Sequence, residues 1–400
     1  MSATTRDVDH VVVGLGGIGS AAAYWLARIA ESAPGPQQSI VGREQGQLGH
    51  DRGASHAHSR IIRDSDHTPG YVALASGAYE TWDVVAAEAG EELVVRTGGL
   101  DLFPAGGAMS IDPYVDSLAA VGVPYELLDA GETMRRHPQF RLTDDVTVLA
   151  QPDTGIAPAA KGTAAHQRLA ASRGVTLRDG VVVERIESDG NGELTVITDD
   201  GTYRTGSIVL AGDAWTARLL QPLDVHLPLE VTREQVVYYP SDHLDDFAIG
   251  RFPVWIWMDD PCYYGFPVYG DLGSVKAAED VGGQTTTADT RTFDADEPAQ
   301  QRMTEFLTGM LPTMVGTTPP RVKTCLYTLT PDRNFVLDTV PGHPGLQVAL
   351  GAAHGFKFAS WFGRTLAQRA VLGSTPADIG AFRLDRPAIT DPTFVPNYTA

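Results

Sequence analysis

The sequence predicts an α/β plus α+β chain in which a nucleotide-binding α/β domain is interleaved with a β-sheet-rich domain. Three observations predict it. A buried strand, a glycine-rich turn and an alanine-rich helix open the chain; residues 229–276 are crowded with Val, Tyr, Phe and Trp; and buried strand patterns return in the last quarter, ahead of a final helix. At 400 residues the chain exceeds the usual size of one small domain. The first domain is expected over residues 1–90, 150–225 and 321–400, and the second over residues 91–149 and 226–320.

Taken in order, DHVVV at residues 9–13 is a β-branched run ending at Gly14, as in a fully buried parallel strand. The helix formers of GSAAAYWLARIA carry a helix over residues 18–30, which ESAPGPQQ breaks. A second strand follows at residues 39–42, with Glu44 just beyond it. Residues 70–90 read as helix and 94–103 as strand. Strand-like runs at residues 177–186, 193–198 and 203–210 alternate with the turn signals DGNG and DDGT. VVYYP, PVWIWM and CYYGFPVYG make the β-rich stretch. A polar loop spans residues 281–296, and a helix resumes at 298–311. FVLD and LQVALG then read as buried strands, with the last helix starting near His354. The proline-bearing end, residues 387–400, is expected to wrap the surface.

The formal net charge of −20 repels phosphate backbones and anionic lipid, so neither nucleic acid nor membrane is an expected partner. No window is apolar for the ~20 residues of a membrane span. No secretory signal or peroxisomal tripeptide is evident, so a cytoplasmic location is expected. The two cysteines, Cys262 and Cys325, are too few for a disulfide framework and lack zinc-site spacing. No metal is expected either: His56, His58 and His67 have no acidic or thiol companion at ligand spacing.

Four segments carry chemistry. Gly14, Gly16, Gly17 and Gly19, with Leu15 and Ile18 between them, follow a buried strand and open a helix. That context gives the tight turn, the close backbone approach and the helix N-terminus that a dinucleotide pyrophosphate needs, in a Rossmann-type unit. Glu44, 25 positions after Gly19, stands where a carboxylate accepts ribose hydroxyls; its plain alternative is a solvated strand-end charge. GSIVLAGDAWTARLL at residues 206–220 reads equally as a segment beside the cofactor or as an ordinary strand–helix corner. SHAHSRIIR at residues 55–63 sets Arg60 and Arg63 three apart, near one another on a helical turn, with guanidinium forks suited to a carboxylate. TCLYT at 324–328 is followed by GAAHGFKF at 351–358, where Lys357 sits between two phenylalanines and needs an anion to justify burial.

With SRIIR, YYGFP, CLYT and HGFKF in this order and spacing, the chain resembles the sarcosine oxidase and N-methyltryptophan oxidase branch of the FAD-dependent amine (D-amino-acid oxidase) superfamily. The resemblance runs from the glycine motif to DRPAI near Arg386. It implies a D-amino-acid-oxidase-like fold, FAD as cofactor, a monomer, and oxidation of the C–N bond of an N-substituted α-amino acid with oxygen reduced to hydrogen peroxide. Gly14, Gly16, Gly17, Ile18, Gly19, Glu44, Ser59, Gly355 and Phe356 would hold FAD. Cys325 would attach to it covalently, and Arg60 would sit against the flavin. Arg63 and Lys357 would clamp the substrate carboxylate, Tyr264 and Tyr327 would line the substrate cavity, and Lys276 would activate oxygen.

One departure bears on the substrate. The sarcosine and N-methyltryptophan oxidases carry a histidine four positions after the oxygen-activating lysine; this chain has Asp280, with Glu279 before it. A carboxylate at that place is an amadoriase-like feature, so Asp280 would bind the polyol of a fructosyl amino acid, hold a cationic amine, or simply face solvent. A simple N-alkyl amino acid and a cyclic imino acid are the other substrate readings. Rival functions are an FAD-dependent amine or imino acid dehydrogenase, a nicotinamide enzyme, and a non-catalytic dinucleotide-binding protein.

Overall fold

The computed structural model describes residues 5–270 and 272–398. The strand His10–Val13 is wholly buried and forms the centre of a six-stranded sheet. Its apolar, β-branched residues suit burial on both faces, which parallel strands require. The strand order is Thr176–Arg178, Ile40–Arg43, His10–Val13, Ser207–Leu210, Leu346–Leu350 and Val336–Thr339. All neighbours run parallel except the last pair. Helices Gly17–Ala30, Pro69–Ala89, Ala159–Ser172 and Ala359–Leu372 share one core with residues of this sheet. A four-stranded sheet of Thr5–Asp7, Gly201–Thr205, Leu194–Thr198 and Val183–Ser188 shares a second core with it.

The largest sheet has nine strands. Its main path runs Gln284–Thr285, Glu230–Tyr239, Val275–Asp280, Cys262–Gly265, Val254–Trp257, Gly99–Pro104, Val146–Gln151 and Glu126–Asp129. Strand Arg321–Leu329 pairs with Glu230–Tyr239 from Glu230↔Leu329 to Tyr238↔Arg321. One face packs on the helix Glu297–Met310 through Met303, Leu307 and Met310.

Register decides what the other face carries. Directly opposed residues project to the same side of a sheet. The pairs Glu234↔Cys325, Thr232↔Tyr327, Tyr238↔Lys276, Cys262↔Asp280, Tyr264↔Ala278, Ile256↔Tyr264 and Ile256↔Asp101 therefore collect Cys325, Tyr327, Lys276, Asp280, Tyr264 and Asp101 on one face.

One local expectation is corrected. Residues 60–62 are not a helical turn but the strand Arg60–Ile62, paired antiparallel with Gly155–Ala157. The β-branched pair Ile61–Ile62 favours extended backbone. Among the described residues no helix is long and apolar enough to cross a membrane.

Candidate active site

Two adjoining cavities lie between the six-stranded sheet and this face. The first, of about 180 Å³, is lined by Gly14 to Ile18, Glu44, Ser55, His56 and Arg60, by Ala211 to Asp213, and by Cys325, Tyr327, Gly355 and Phe356. The segment 206–220 thus does border it.

The glycine turn is built to leave room. Gly14 has φ +86°, and a Cβ there would meet the Ala211 carbonyl oxygen at 2.5 Å. A Cβ on Gly17 would stand 2.8 Å from the Phe356 ring, and a Cβ on Gly19 would collide with the Gly14 carbonyl. The Gly17 N–H donates to Ser55 Oγ at 2.8 Å, and the Gly17–Ala30 helix opens on the cavity. A phosphate-bearing dinucleotide fits this cradle of glycines and helix N-terminus.

Glu44 is buried rather than solvated. Its carboxylate accepts from the N–H of Leu15 at 2.8 Å and of Gly46 at 3.0 Å, with His50 Nε2 at 3.1 Å. Burial pushes its pKa up, but the bonds from His50, Gly46 and Leu15 outweigh that and hold it below the usual range. His56 has both ring nitrogens buried without a hydrogen-bond partner among the described residues, and burial with Arg60 nearby lowers its pKa to about 3. A neutral imidazole facing this cavity is therefore ready to meet a ligand atom. Sequence reading weighed it only as a metal ligand.

The second cavity, of about 460 Å³, shares Arg60, Tyr327, Ala353 and Phe356 with the first. It adds Arg63, Asp66, Tyr71, Ile256, Met258, Tyr264, Asp280, Arg333, His354, Lys357 and Tyr398. Arg63 Nη1 donates to Asp101 Oδ2 at 3.0 Å, and Ser65 Oγ donates to the same oxygen at 2.5 Å. Burial opposes the Arg63 charge, yet Asp101 more than restores it and raises its pKa.

Lys357 is different. It is buried, and among the described residues its Nζ makes no hydrogen bond or ion pair; it lies 5.1 Å from the Phe358 ring centroid. Burial, reinforced by Arg63, lowers its pKa to about 8.

Lys276 donates to the Ser59 carbonyl at 2.8 Å and to Ser59 Oγ at 3.3 Å, with its Nζ 4.5 Å from the Phe266 ring centroid. Burial, then the charge of Arg60, holds its pKa well below the ordinary lysine value. Arg60 itself is pinned by the carbonyls of Ser59 and Ala54, at 3.0 and 2.8 Å. Cys325 is a buried free thiol whose pKa burial raises, against the pull of Arg60.

Asp280 enters the cavity but is already engaged. The Tyr327 hydroxyl donates to Oδ1 at 3.1 Å, and Arg333 Nη2 donates to Oδ2 at 2.5 Å. The Arg333 carbonyl accepts from His354 Nε2 at 3.0 Å. Asp101, Asp66, Arg333 and Tyr398 escaped the sequence reading. One signal was available for Asp101, a lone acid inside the apolar strand GLDLF. Of the three histidines weighed together, His56 lines the first cavity, His67 the second and His58 neither.

A family model described as FAD dependent oxidoreductase matches residues 9–369. A monomeric sarcosine oxidase from Streptomyces avermitilis is 33% identical over 383 residues, covering 94% of this chain and 96% of its own. An N-methyl-L-tryptophan oxidase from Salmonella heidelberg is 29% identical over 388 residues, covering 94% and 98%. The solved open form of a Tyr258Phe mutant of NikD, titled an unusual amino acid oxidase essential for nikkomycin biosynthesis, superposes with a TM-score of 0.84 at 27% identity, covering 94% of this chain and 97% of its own. The dinucleotide cradle, the cation-bearing cavity beside it and these matches agree: the chain belongs to the FAD dependent oxidoreductase family.

Proposed function

We propose that the chain oxidises the secondary amine of N-methyl-type α-amino acids with oxygen as electron acceptor, as a monomer holding FAD covalently through Cys325. The observation that carries the reading is the buried ammonium of Lys357, which has no protein partner among the described residues and faces a cavity also lined by Arg63. A buried cation with no direct ion pair is costly, Asp66 and Asp101 offsetting its burial only in part, and an incoming carboxylate supplies the missing contact. The names of the relatives above support this substrate class.

The division of labour follows from the two cavities. Gly14, Gly16, Gly17, Ile18, Gly19, Glu44, Ser59, Gly355 and Phe356 hold the cofactor; residues 226–320 supply Tyr264 and Asp280 to the substrate cavity, and residues 1–90 and 321–400 supply Arg63, Tyr327 and Lys357. When bound, FAD supplies the acceptor for the hydride equivalent taken from the carbon beside the amine. Cys325, on the face shared with Tyr327 and Lys276, offers its thiol for the linkage. Arg60 lends positive charge where both cavities meet. Lys357 and Arg63 grip the carboxylate and so orient the C–N bond, while Tyr264 and Tyr327 wall the amine. Lys276, whose pKa burial and Arg60 hold well below the ordinary lysine value, sets its Nζ where negative charge develops and so favours electron delivery to oxygen.

The fructosyl reading of Asp280 is not carried forward. Both carboxylate oxygens are already taken by Tyr327 and Arg333, and the relatives above act on N-methyl amino acids by name. The test is anaerobic mixing of the yellow protein with sarcosine and with N-methyl-L-tryptophan. Bleaching of the flavin by either supports the reading; no bleaching by any N-methyl amino acid refutes it.

A further inference from the structure

Arg333 stands on the loop between strands Arg321–Leu329 and Val336–Thr339, in the left-handed region at φ +56°. A non-glycine residue keeps such backbone only where its surroundings fix it. Here they do. Nη2 holds Asp280, and the carbonyl accepts from His354. Nη1 donates to the carbonyl of Tyr398 at 2.8 Å.

Tyr398 belongs to the C-terminal segment that follows the short helix Pro387–Thr390. The stretch from Arg386 to Tyr398 is stitched to the same loop at both its ends. Arg386 forks onto Asp332 at 2.7 and 3.0 Å and also donates to the Asn334 carbonyl at 3.0 Å. The Asn397 N–H donates to the Pro331 carbonyl at 2.8 Å, and the Tyr398 hydroxyl donates to Glu230 at 2.9 Å. Both Tyr398 and Arg333 line the larger cavity. An exposed tail with no task is rarely tied down near its end. Tyr398 meets the side chain that fixes Asp280.

We infer that the C-terminal strap is a wall of the substrate cavity and that Tyr398 is a specificity-determining residue, limiting the substituents that fit beside Asp280. The inference rests on the reading of this cavity as the substrate site. Tyr398 is the residue of this strap that lines the cavity, Arg333 links it to Asp280, and its ring supplies the bulk. Removing the ring opens room for large substituents and weakens the fit of small ones. Removing only the hydroxyl leaves the wall standing.

The experiment uses the full-length holoenzyme and its Tyr398→Ala and Tyr398→Phe variants. Propionate and indole-3-acetate, which carry no oxidisable amine, are titrated against the flavin absorbance; kcat/KM is measured for sarcosine and N-methyl-L-tryptophan. Tyr398→Ala is expected to shift the propionate to indole-3-acetate affinity ratio toward the larger ligand by roughly tenfold or more, the size of a lost packing contact. Tyr398→Phe is expected to stay within about twofold of the parent on that scale. An unchanged ratio in Tyr398→Ala, or an equal shift in Tyr398→Phe, overturns the inference. Should no N-methyl amino acid be oxidised, the proposed reaction falls, while the two carboxylate affinities still decide the role of the strap.

Discussion

Arg63 and Lys357 line the same cavity from segments almost 300 positions apart, yet of the two, among the described residues, only Arg63 makes an ion pair, with Asp101 at 3.0 Å. The neutralised guanidinium is a fixed part of the wall. The lone ammonium is the group whose charge waits for a ligand, so carboxylate binding is controlled mainly by Lys357.

That assignment has a pH signature. The Lys357 pKa is lowered to about 8, so the free site is charged below that pH and neutral above it. Carboxylate affinity should be flat at lower pH and fall by roughly tenfold between pH 8 and 9 and beyond, as the ammonium loses its proton. Lys357→Met should abolish this dependence and weaken binding by about 2 kcal/mol, the scale of one charge-assisted hydrogen bond. Titrating propionate against the flavin spectrum over pH 6 to 10 checks both.

Asp101→Asn separates stability from affinity. Removing the counter-charge leaves Arg63 buried and uncompensated, which should cost about 3 kcal/mol of folding stability. The freed guanidinium should then bind a carboxylate more tightly than in the parent. A lower melting temperature with a lower Kd is expected; a weakened Kd would show that Asp101 positions Arg63 for binding.

Lys276 is assigned to the oxygen step alone. Lys276→Met should slow reoxidation of the reduced flavin by oxygen by about 100-fold or more, the scale of a removed electrostatic stabiliser. Its anaerobic reduction should change far less. Stopped-flow measurement of the two half-reactions decides this, and equal slowing would remove the assignment.

The linkage to Cys325 is read without any substrate. Acid-precipitated parent protein should keep its yellow colour in the pellet, and Cys325→Ser should release it to the supernatant. Colour in the parent supernatant would mean that FAD is held by non-covalent contacts only.

How much of this was legible in the sequence depends on whether the signal is local. The Gly14 to Gly19 turn was legible because strand, glycines and helix are contiguous, and Lys357 stood out as a cation between aromatics. The acids were not. Asp101 meets Arg63 only through a tertiary contact between strand Gly99–Pro104 and the residue just after strand Arg60–Ile62, which no local pattern encodes. Arg333 lies in PDRN, an ordinary turn signal, and reaches Asp280 through a left-handed backbone. Arg60 and Arg63 line one cavity but not from the helical turn the spacing suggests, since Ile61 and Ile62 extend the chain there.

The central claim is that a carboxylate held at Lys357 presents a neighbouring secondary amine for oxidation. The most direct measurement is anaerobic flavin bleaching by N-methyl-L-tryptophan beside its decarboxylated counterpart, N-methyltryptamine. The amino acid should bleach the flavin at concentrations at which the amine leaves it yellow, and Lys357→Met should erase most of that difference. Equal bleaching by the two compounds would contradict the account, because the carboxylate would then contribute nothing to binding or orientation.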